Sequence, residues 1–196
     1  MKQALYLLIA LGVPALSVQS ASESFKSKIG SSKLTIFGDS TVHKWKVETR
    51  FIGGFLKIDT AKLGTAGKVE ATGKVIIPVR QLKSGKKRMD EVMHAAMNAT
   101  EHKFISFDLT GLDIISAKDG VANCTGIGTL KINGKSTPVP LPITITSKGA
   151  QLEVSGSTPV NMKSDFGIEP PSPKLPTGKI TTKEAVKIEF NWIVAK

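Results

Sequence analysis

Apolar and polar residues alternate with a period of two through most of this chain, and this alternation constrains its fold more than any other feature. Successive side chains of a β-strand point to opposite faces of a sheet, so the pattern predicts strands with one buried face. The clearest row runs from Val186 to Val194 and alternates with Lys187, Glu189 and Asn191. Other rows predict strands near 33–37, 45–51, 69–79, 105–115, 124–132, 139–145 and 152–154.

A two-residue turn is predicted at Asn133-Gly134, between the rows at 124–132 and 139–145. Both central residues of such a turn need positive φ, which asparagine and glycine tolerate, so the pair favours a tight β-hairpin. On the returning strand, Pro138, Pro140 and Pro142 fill the outward positions. Proline has no backbone N–H to donate to a ladder, and we therefore expect that segment to be poorly paired or at an edge.

Two segments depart from the period of two. In the first segment, apolar residues recur at the spacing of one face of a helix, which predicts a short amphipathic helix. These positions are Met89, Val92, Met93, Ala96 and Met97. The second, at 167–178, contains four prolines and predicts an extended loop within one domain, not a linker between two.

About eight strands with one short inserted helix predict an all-β fold in a single domain. An extended antiparallel barrel and a β-sandwich both fit this pattern, and we prefer the barrel. A barrel of about eight strands has an interior that can hold one small ligand. Several inward positions carry small residues that would leave room for it, namely Ala71, Gly73, Gly126 and Gly128.

Residues 1–21 are expected to be a cleaved signal peptide, with 22–196 forming the mature barrel domain. Lys2 precedes an uncharged apolar run at 4–13, which Pro14 ends. A run of this length matches the ~7–15 residues of a signal-peptide core. A membrane-spanning helix needs ~20 apolar residues, so the run is too short for an anchor. We therefore expect an exported, periplasmic protein.

The net charge of +11 makes the surface attractive to polyanions, although export argues against nucleic acid as the natural partner. One basic cluster, Lys83, Lys86, Lys87 and Arg88, lies just before the predicted helix. It is either a solvated loop or a contact for anionic headgroups or a membrane surface at the barrel entrance, where each basic residue contributes ~1 kcal/mol. The sequence leaves open whether two chains pair as a homodimer.

Ser40 and His43 are residue types of a hydrolytic triad. Triad groups normally come from separate parts of a fold, and no nucleophile elbow surrounds Ser40, so a polar turn is the favoured interpretation and we expect no enzyme. His94 and His102 lack the close spacing of metal ligands, and a single cysteine, Cys124, cannot form a thiolate cluster. We therefore expect no metal site and no cofactor, and we expect Cys124 to be an inert core thiol.

The order of these features is similar to the YceI-like family of polyisoprenoid-binding, lipocalin-like periplasmic proteins. The stretches that carry the likeness are 38–45 (GDSTVHKW), 75–85 (VIIPVRQLKSG) followed by Met89-Asp90, 104–107 (FISF), 128–134 (GTLKING) and 165–168 (DFGI). They span most of the chain from about Ser32 to Val194. The resemblance implies a lipocalin-like barrel whose apolar lumen binds a long isoprenoid or other amphiphilic lipid, without enzymatic chemistry.

Within such a barrel we predict the side chains that line the cavity to be Trp45, Val75, Ile77, Met93, Phe107, Leu130 and Phe190. A register error of one residue would turn any of them outward. The methionine stripe, Met89, Met93 and Met97, fits either plain packing against the sheet or a cavity mouth that adapts to ligands of uneven shape. The leading hypothesis is a binding protein that shelters an apolar tail. The alternative is a stress-response or interaction protein with a filled barrel, whose basic surface binds a polyanion or a protein.

Overall fold

The structure is a computed structural model that describes residues 22–175 and 178–196. The predicted signal peptide at 1–21 lies outside the described residues. The strands are β1 (Glu23–Ser27), β2 (Lys33–Gly38), β3 (Trp45–Thr49), β4 (Gly53–Ile58), β5 (Gly67–Val69), β6 (Ala71–Pro78), β7 (Phe104–Lys118), β8 (Val121–Ile132), β9 (Lys135–Pro138), β10 (Leu141–Lys148), β11 (Gln151–Asn161), β12 (Lys174–Leu175), β13 (Gly178–Lys179) and β14 (Ala185–Ala195). The helices are α1 (Lys87–Ala96) and α2 (Met162–Phe166), with short 3-10 helices at Thr60–Gly64 and Val79–Gln81. Within the two described ranges, no helix combines the length and the hydropathy needed to cross a bilayer.

Eight of these strands close into an antiparallel barrel. Their order is β1-β4-β6-β7-β8-β10-β11-β14, and the pairing of β14 with β1 closes the ring. β14 also pairs with β2, and β2 pairs with β3, so a further strand pair extends one side of the barrel. The predicted all-β fold, a closed antiparallel barrel of about eight strands with a short inserted helix, is confirmed.

The hairpin predicted at Asn133-Gly134 joins β8 to β9, and both residues have positive φ, 50° and 76°. Within the proline-rich segment that follows, only β9 is poorly paired. In the described part of the chain it pairs on one side only, with β8. β10 pairs on both sides, with β8 and β11, so the expectation of an edge was wrong there. Pro142 is tolerated in β10 because the ladder with β11 begins at the next residue, Ile143.

The proline-rich segment at 167–178, predicted as an extended loop, contains the paired strands β12 and β13. Backbone hydrogen bonds hold the residues that follow it against the connection between β2 and β3. The Thr41 amide donates to the Thr181 carbonyl at 3.0 Å, and the Lys183 amide donates to the Asp39 carbonyl at 2.9 Å. These two connections therefore form one structured edge of the barrel.

The two ends of the barrel differ. At what we call the floor end, the inward side chains of Phe25, Ile58, Leu152 and Val194 are at most 2% exposed and form a solid core. At the opposite end, which we call the mouth end, lie α1, α2 and the connections from β2 to β3 and from β11 to β14. Any cavity inside the barrel therefore has to lie toward the mouth end.

Candidate functional site

A cavity of about 470 Å³ occupies the upper half of the barrel, a size typical of small-molecule sites. Its wall is built from inward rows of the barrel strands together with β2, β3 and α1, and most of its side chains are apolar. The exposed residues of the lining, His43, Lys86, Arg88 and Lys174, all lie at the mouth end. The cavity therefore opens at the mouth end.

The bottom of the cavity is closed. Its deepest lining residues are Leu56, Leu112, Ile145, Val154 and Trp192. The next inward residue along β14, Val194, is 0% exposed and belongs to the solid core. The indole N–H of Trp192 donates to the Ser27 hydroxyl at 2.7 Å, which fixes the orientation of the ring. The cavity is therefore a blind pocket whose floor includes Trp192.

All seven side chains predicted to line a cavity lie on its wall. By element they are Trp45 on β3, Val75 and Ile77 on β6, Phe107 on β7, Leu130 on β8, Phe190 on β14 and Met93 on α1. The alternation of each strand places them there, since inward positions recur at every second residue. The structure brings the seven together, and their contact with a bound molecule stays a prediction.

Sequence reasoning missed other lining residues. Ile188 and Trp192 share the inward row of Phe190, so their two-residue spacing would have identified them. Pro171 and Ile180 also line the cavity, but they come from the proline-rich segment. That segment shows no period, so the sequence carries no signal for which of its side chains face inward.

Helix α1 covers part of the cavity with its apolar face inward. Met89, Val92, Met93 and Ala96 line the cavity, yet no residue of α1 is fully buried. Side chains packed against a filled core are almost inaccessible because protein interiors are close-packed. Met89 and Met93 therefore border open space, whereas Met97, which follows α1, is buried.

Asp90 holds the first turn of α1 in place. Its Oδ1 accepts hydrogen bonds from the Ser84 hydroxyl at 2.6 Å and the Ser84 amide at 2.7 Å. Burial alone would raise the pKa of Asp90, but these hydrogen bonds, with the charge of Lys83, outweigh it and lower the pKa below its ordinary value. The backbone of Lys83 also exchanges hydrogen bonds of 2.8 and 2.9 Å with Glu48 on β3, which attaches this loop to the barrel.

The stretch at 38–45 forms a polar turn at the mouth. The Ser40 hydroxyl donates to the His43 carbonyl at 2.8 Å and accepts from the His43 amide at 3.2 Å, so its proton is directed to a backbone oxygen and not to an imidazole. A hydrogen bond from Lys183, followed by one from the Ser40 amide, lowers the pKa of Asp39. The Trp45 indole N–H donates to the Asp39 carbonyl at 3.2 Å, which orients this lining residue.

The charged side chains that line the cavity are all basic. They are Lys86, Arg88 and Lys174, and no acidic residue from the described ranges joins them. Lys86 and Arg88 belong to the predicted basic cluster, whereas Lys83 and Lys87 of that cluster lie outside the lining. Lys174, on β12, was not predicted. Among the charged residues that line it, the mouth therefore carries positive charge only.

Cys124 lies in the core, 2% exposed, with Ile114 and Ile143 as its cross-strand neighbours. Burial raises the pKa of its thiol to about 11, and the charge of Asp113 adds to the rise. The thiol is therefore protonated at neutral pH and is a poor nucleophile. Across residues 22–175 and 178–196, no three histidine, cysteine or acidic side chains form a group that could hold a metal ion.

The chain is similar to known proteins in sequence and in fold. Residues 23–193 match the YceI-like domain. No curated protein matches the chain in sequence. Among solved structures, BcnA from Burkholderia cenocepacia superposes with a TM-score of 0.66 at 20% sequence identity, covering 85% of this chain and 98% of that one.

Two further structures share the fold. A polyisoprenoid binding domain from Saccharophagus degradans, implicated in plant cell wall breakdown, has a TM-score of 0.64 at 12% identity and covers 87% of this chain and 97% of that one. The YCEI protein of Campylobacter jejuni has a TM-score of 0.51 at 13% identity and covers 85% of each chain. At such low identities the likeness establishes the fold alone.

Proposed function

The chain belongs to the YceI-like family, and from this premise we propose that it is an exported binding protein that holds an isoprenoid or similar amphiphilic lipid in its barrel. The observation that carries the proposal is the blind, apolar cavity of about 470 Å³ with a basic mouth. An amphiphile matches both parts, because its tail gains by leaving water and its head keeps polar surroundings.

A relative of the same fold supports this class of ligand. The Saccharophagus degradans structure is that of a polyisoprenoid binding domain. The role requires no catalytic group, and we propose that the protein is not an enzyme. The turn geometry supports this, since the Ser40 hydroxyl donates its proton to the His43 carbonyl.

Removal of the tail from water supplies the affinity. Each methylene group moved into the cavity contributes about 0.8 kcal/mol, so ten such groups contribute ~8 kcal/mol before the cost of ordering the ligand. Most of the cavity wall is formed by strands that pair on both sides, which limits the entropy that the protein loses on binding. A net gain of about 8 kcal/mol corresponds to a micromolar dissociation constant, so we expect micromolar or tighter binding for tails that bury more than ten such groups.

The mouth suggests how the polar head is held. We propose that Lys86, Arg88 and Lys174, which line the cavity, contact an anionic headgroup there. Lys83 and Lys87 of the predicted cluster add positive charge nearby. Export to the periplasm remains a proposal that rests on the predicted signal peptide at 1–21.

The alternative is a stress-response or interaction protein whose basic surface binds a polyanion or a protein partner. It predicts large inward side chains that fill the barrel. Instead the small residue Gly73 lines an open cavity, which favours a ligand-binding role. The basic surface fits either function, so the cavity is the observation that separates them.

Native mass spectrometry of the protein purified from its exported compartment, followed by organic extraction, tests the proposal. We expect one lipid per chain, and the same spectra report whether chains pair as homodimers. A protein that is empty when purified and does not take up added isoprenoids would contradict the proposed function.

A matched pair of variants on β6 controls this experiment. Val75 lines the cavity, and its neighbour Ile76 does not. A tryptophan at the first position would occupy ligand space, whereas one at the second points to the other face of the strand. We expect Val75→Trp to lose the bound lipid and Ile76→Trp to keep it.

A further inference from the structure

Exposed basic side chains from three separate segments border the cavity mouth. Lys44 lies in the polar turn, Lys86 immediately precedes α1, and Lys87 and Arg88 begin it. Lys174 and Lys179 lie on β12 and β13. Together with Val42 we call these residues the mouth rim. Val42 is 64% exposed, although it is apolar. The mouth rim therefore combines positive charge with one exposed apolar side chain.

Nearby acidic groups are already engaged. Asp39 pairs with Lys183 at 2.7 Å, and Glu91 pairs with Arg88 at 3.5 Å. Asp90 accepts its hydrogen bonds from Ser84. In contrast, no lysine of the mouth rim forms a salt bridge with any residue in the described part of the chain. The mouth rim consequently keeps an excess of positive charge that faces solvent.

The segments of the mouth rim are fixed to the barrel and to each other. The turn that carries Val42 and Lys44 is joined to the residues after β13 by the Thr41–Thr181 backbone hydrogen bond of 3.0 Å. The loop before α1 is joined to β3 through Lys83 and Glu48. The basic side chains thus surround the cavity opening on a supported frame.

We propose that the mouth rim docks onto the surface of an anionic phospholipid bilayer, with Val42 entering the headgroup region. The inference rests on the proposed function. Basic residues near an anionic surface add binding energy that salt screens, and an exposed apolar side chain among them adds the gain from burial. This combination fits a bilayer better than a soluble polyanion, which offers nothing for Val42 to enter.

Docking would spare the lipid tail from crossing water on its way into the cavity. A lipid tail that leaves a bilayer for a separate protein has to cross water, which costs free energy in proportion to its apolar area. Because the cavity opens inside the mouth rim, docking places the opening against the bilayer. The tail then moves from one apolar environment to another.

Sedimentation with vesicles tests the docking. We expect the protein to bind phosphatidylglycerol vesicles, to bind phosphatidylcholine vesicles far more weakly, and to release the former as salt concentration rises. Lys44, Lys87 and Lys179 do not line the cavity. The triple variant Lys44→Glu, Lys87→Glu, Lys179→Glu should lose at least about a hundredfold in vesicle affinity, at roughly fivefold for each basic residue, while still taking up a lipid from detergent.

The floor end supplies matched controls. Lys62, Lys68 and Lys118 are exposed there, and their replacement by glutamate changes the net charge equally. That variant should bind vesicles within a fewfold of the parent. Ile115, on the part of β7 nearest the floor end, is 68% exposed against 64% for Val42, so Val42→Asp should weaken vesicle binding and Ile115→Asp should not.

The outcomes separate the two proposals. Equal losses in the mouth and floor variants would overturn the docking surface, as would binding to soluble heparin with no binding to vesicles. A mouth variant that loses vesicle binding but keeps its lipid in native mass spectra supports docking and binding together. A parent protein that binds vesicles through the mouth rim but never holds a lipid would overturn the proposed function and leave the docking surface standing.

Discussion

Gly38, at the end of β2, lies directly under the ring of Trp45. A Cβ atom at this position would fall 2.0 Å from the Trp45 Cζ2 atom, so only glycine lets the indole reach its place beside the cavity. The turn between β2 and β3 thus needs glycine for a close approach of side chain to backbone. Gly38 therefore determines the position of Trp45, one of the residues predicted to line the cavity.

We predict that Gly38→Ala destabilises the protein by about 1–3 kcal/mol, because the extra methyl group forces Trp45 to move. Tryptophan emission should shift, and urea unfolding gives the loss of stability. Gly64→Ala is the matched control, since a Cβ there meets nothing within 4 Å. Equal stability of the two variants would show that the Trp45 ring is not confined as described.

Cys124 allows a second test at the residue scale. Its pKa, raised to about 11 by burial, means that the native state keeps the thiol proton to higher pH than the unfolded chain. This difference in pKa stabilises the folded state. The contribution is fully present below the ordinary thiol pKa of about 8.5 and is lost as pH rises through about 11.

Iodoacetamide labelling measures the protection of Cys124. We expect labelling to be slow at pH 8 in buffer and fast in urea at the same pH, because a protonated, buried thiol is neither nucleophilic nor accessible. Equal rates in the two conditions would contradict the buried position of the thiol.

Sequence patterns identified elements wherever apolar residues repeat along one face of an element. The row from Val186 to Val194 became β14, and the methionine stripe became α1. β1 was missed because Phe25 is its only fully buried residue, and one apolar position defines no period. The five residues of α2 are also too few to show a helical repeat. Pairing with neighbours, and not local pattern, creates such elements.

The hold of Asp90 on α1 is testable through pH. Because the folded pKa of this carboxyl is lowered, its stabilising contribution is fully present above about pH 4 and is lost as pH falls through the lowered value. We predict that Asp90→Asn costs about 1–2 kcal/mol at pH 7 and progressively less as pH falls through the lowered pKa, as measured by urea unfolding.

Glu91→Gln is the matched control for Asp90→Asn. The side chain of Glu91 is half exposed, and its partner is Arg88 at 3.5 Å. Exposed ion pairs contribute little to stability, so this variant should unfold like the parent protein. If both variants lost the same stability at pH 7, the hydrogen bonds from Ser84 would not be what anchors the helix.

At the scale of the whole molecule, the cavity is a property that no single segment contains. Each strand row predicts which side chains face inward, and this was enough to place Trp45 and Phe190 on the wall. The depth of the cavity depends on how all the rows fill the barrel together. Below Trp192 they fill it completely, and above Trp192 they leave space. A local sequence pattern does not predict how the inward rows of all the strands pack together.

The closed floor makes a prediction about ligand length. Trp192 lines the bottom of the cavity and is only 5% exposed, so its ring marks how far a tail can enter. Trp192→Leu replaces that ring by a smaller side chain and deepens the cavity, at a stability cost of about 1–4 kcal/mol. We predict that the variant shifts its preference toward longer chains when a series of isoprenoid alcohols of increasing length compete, with bound species counted by native mass spectrometry. Trp45→Leu, at the mouth, is the control and should leave the preferred length unchanged, because it does not alter the floor.

A Trp192→Leu protein that folds and binds lipid with the parent's length preference would show that the tail stops short of the floor.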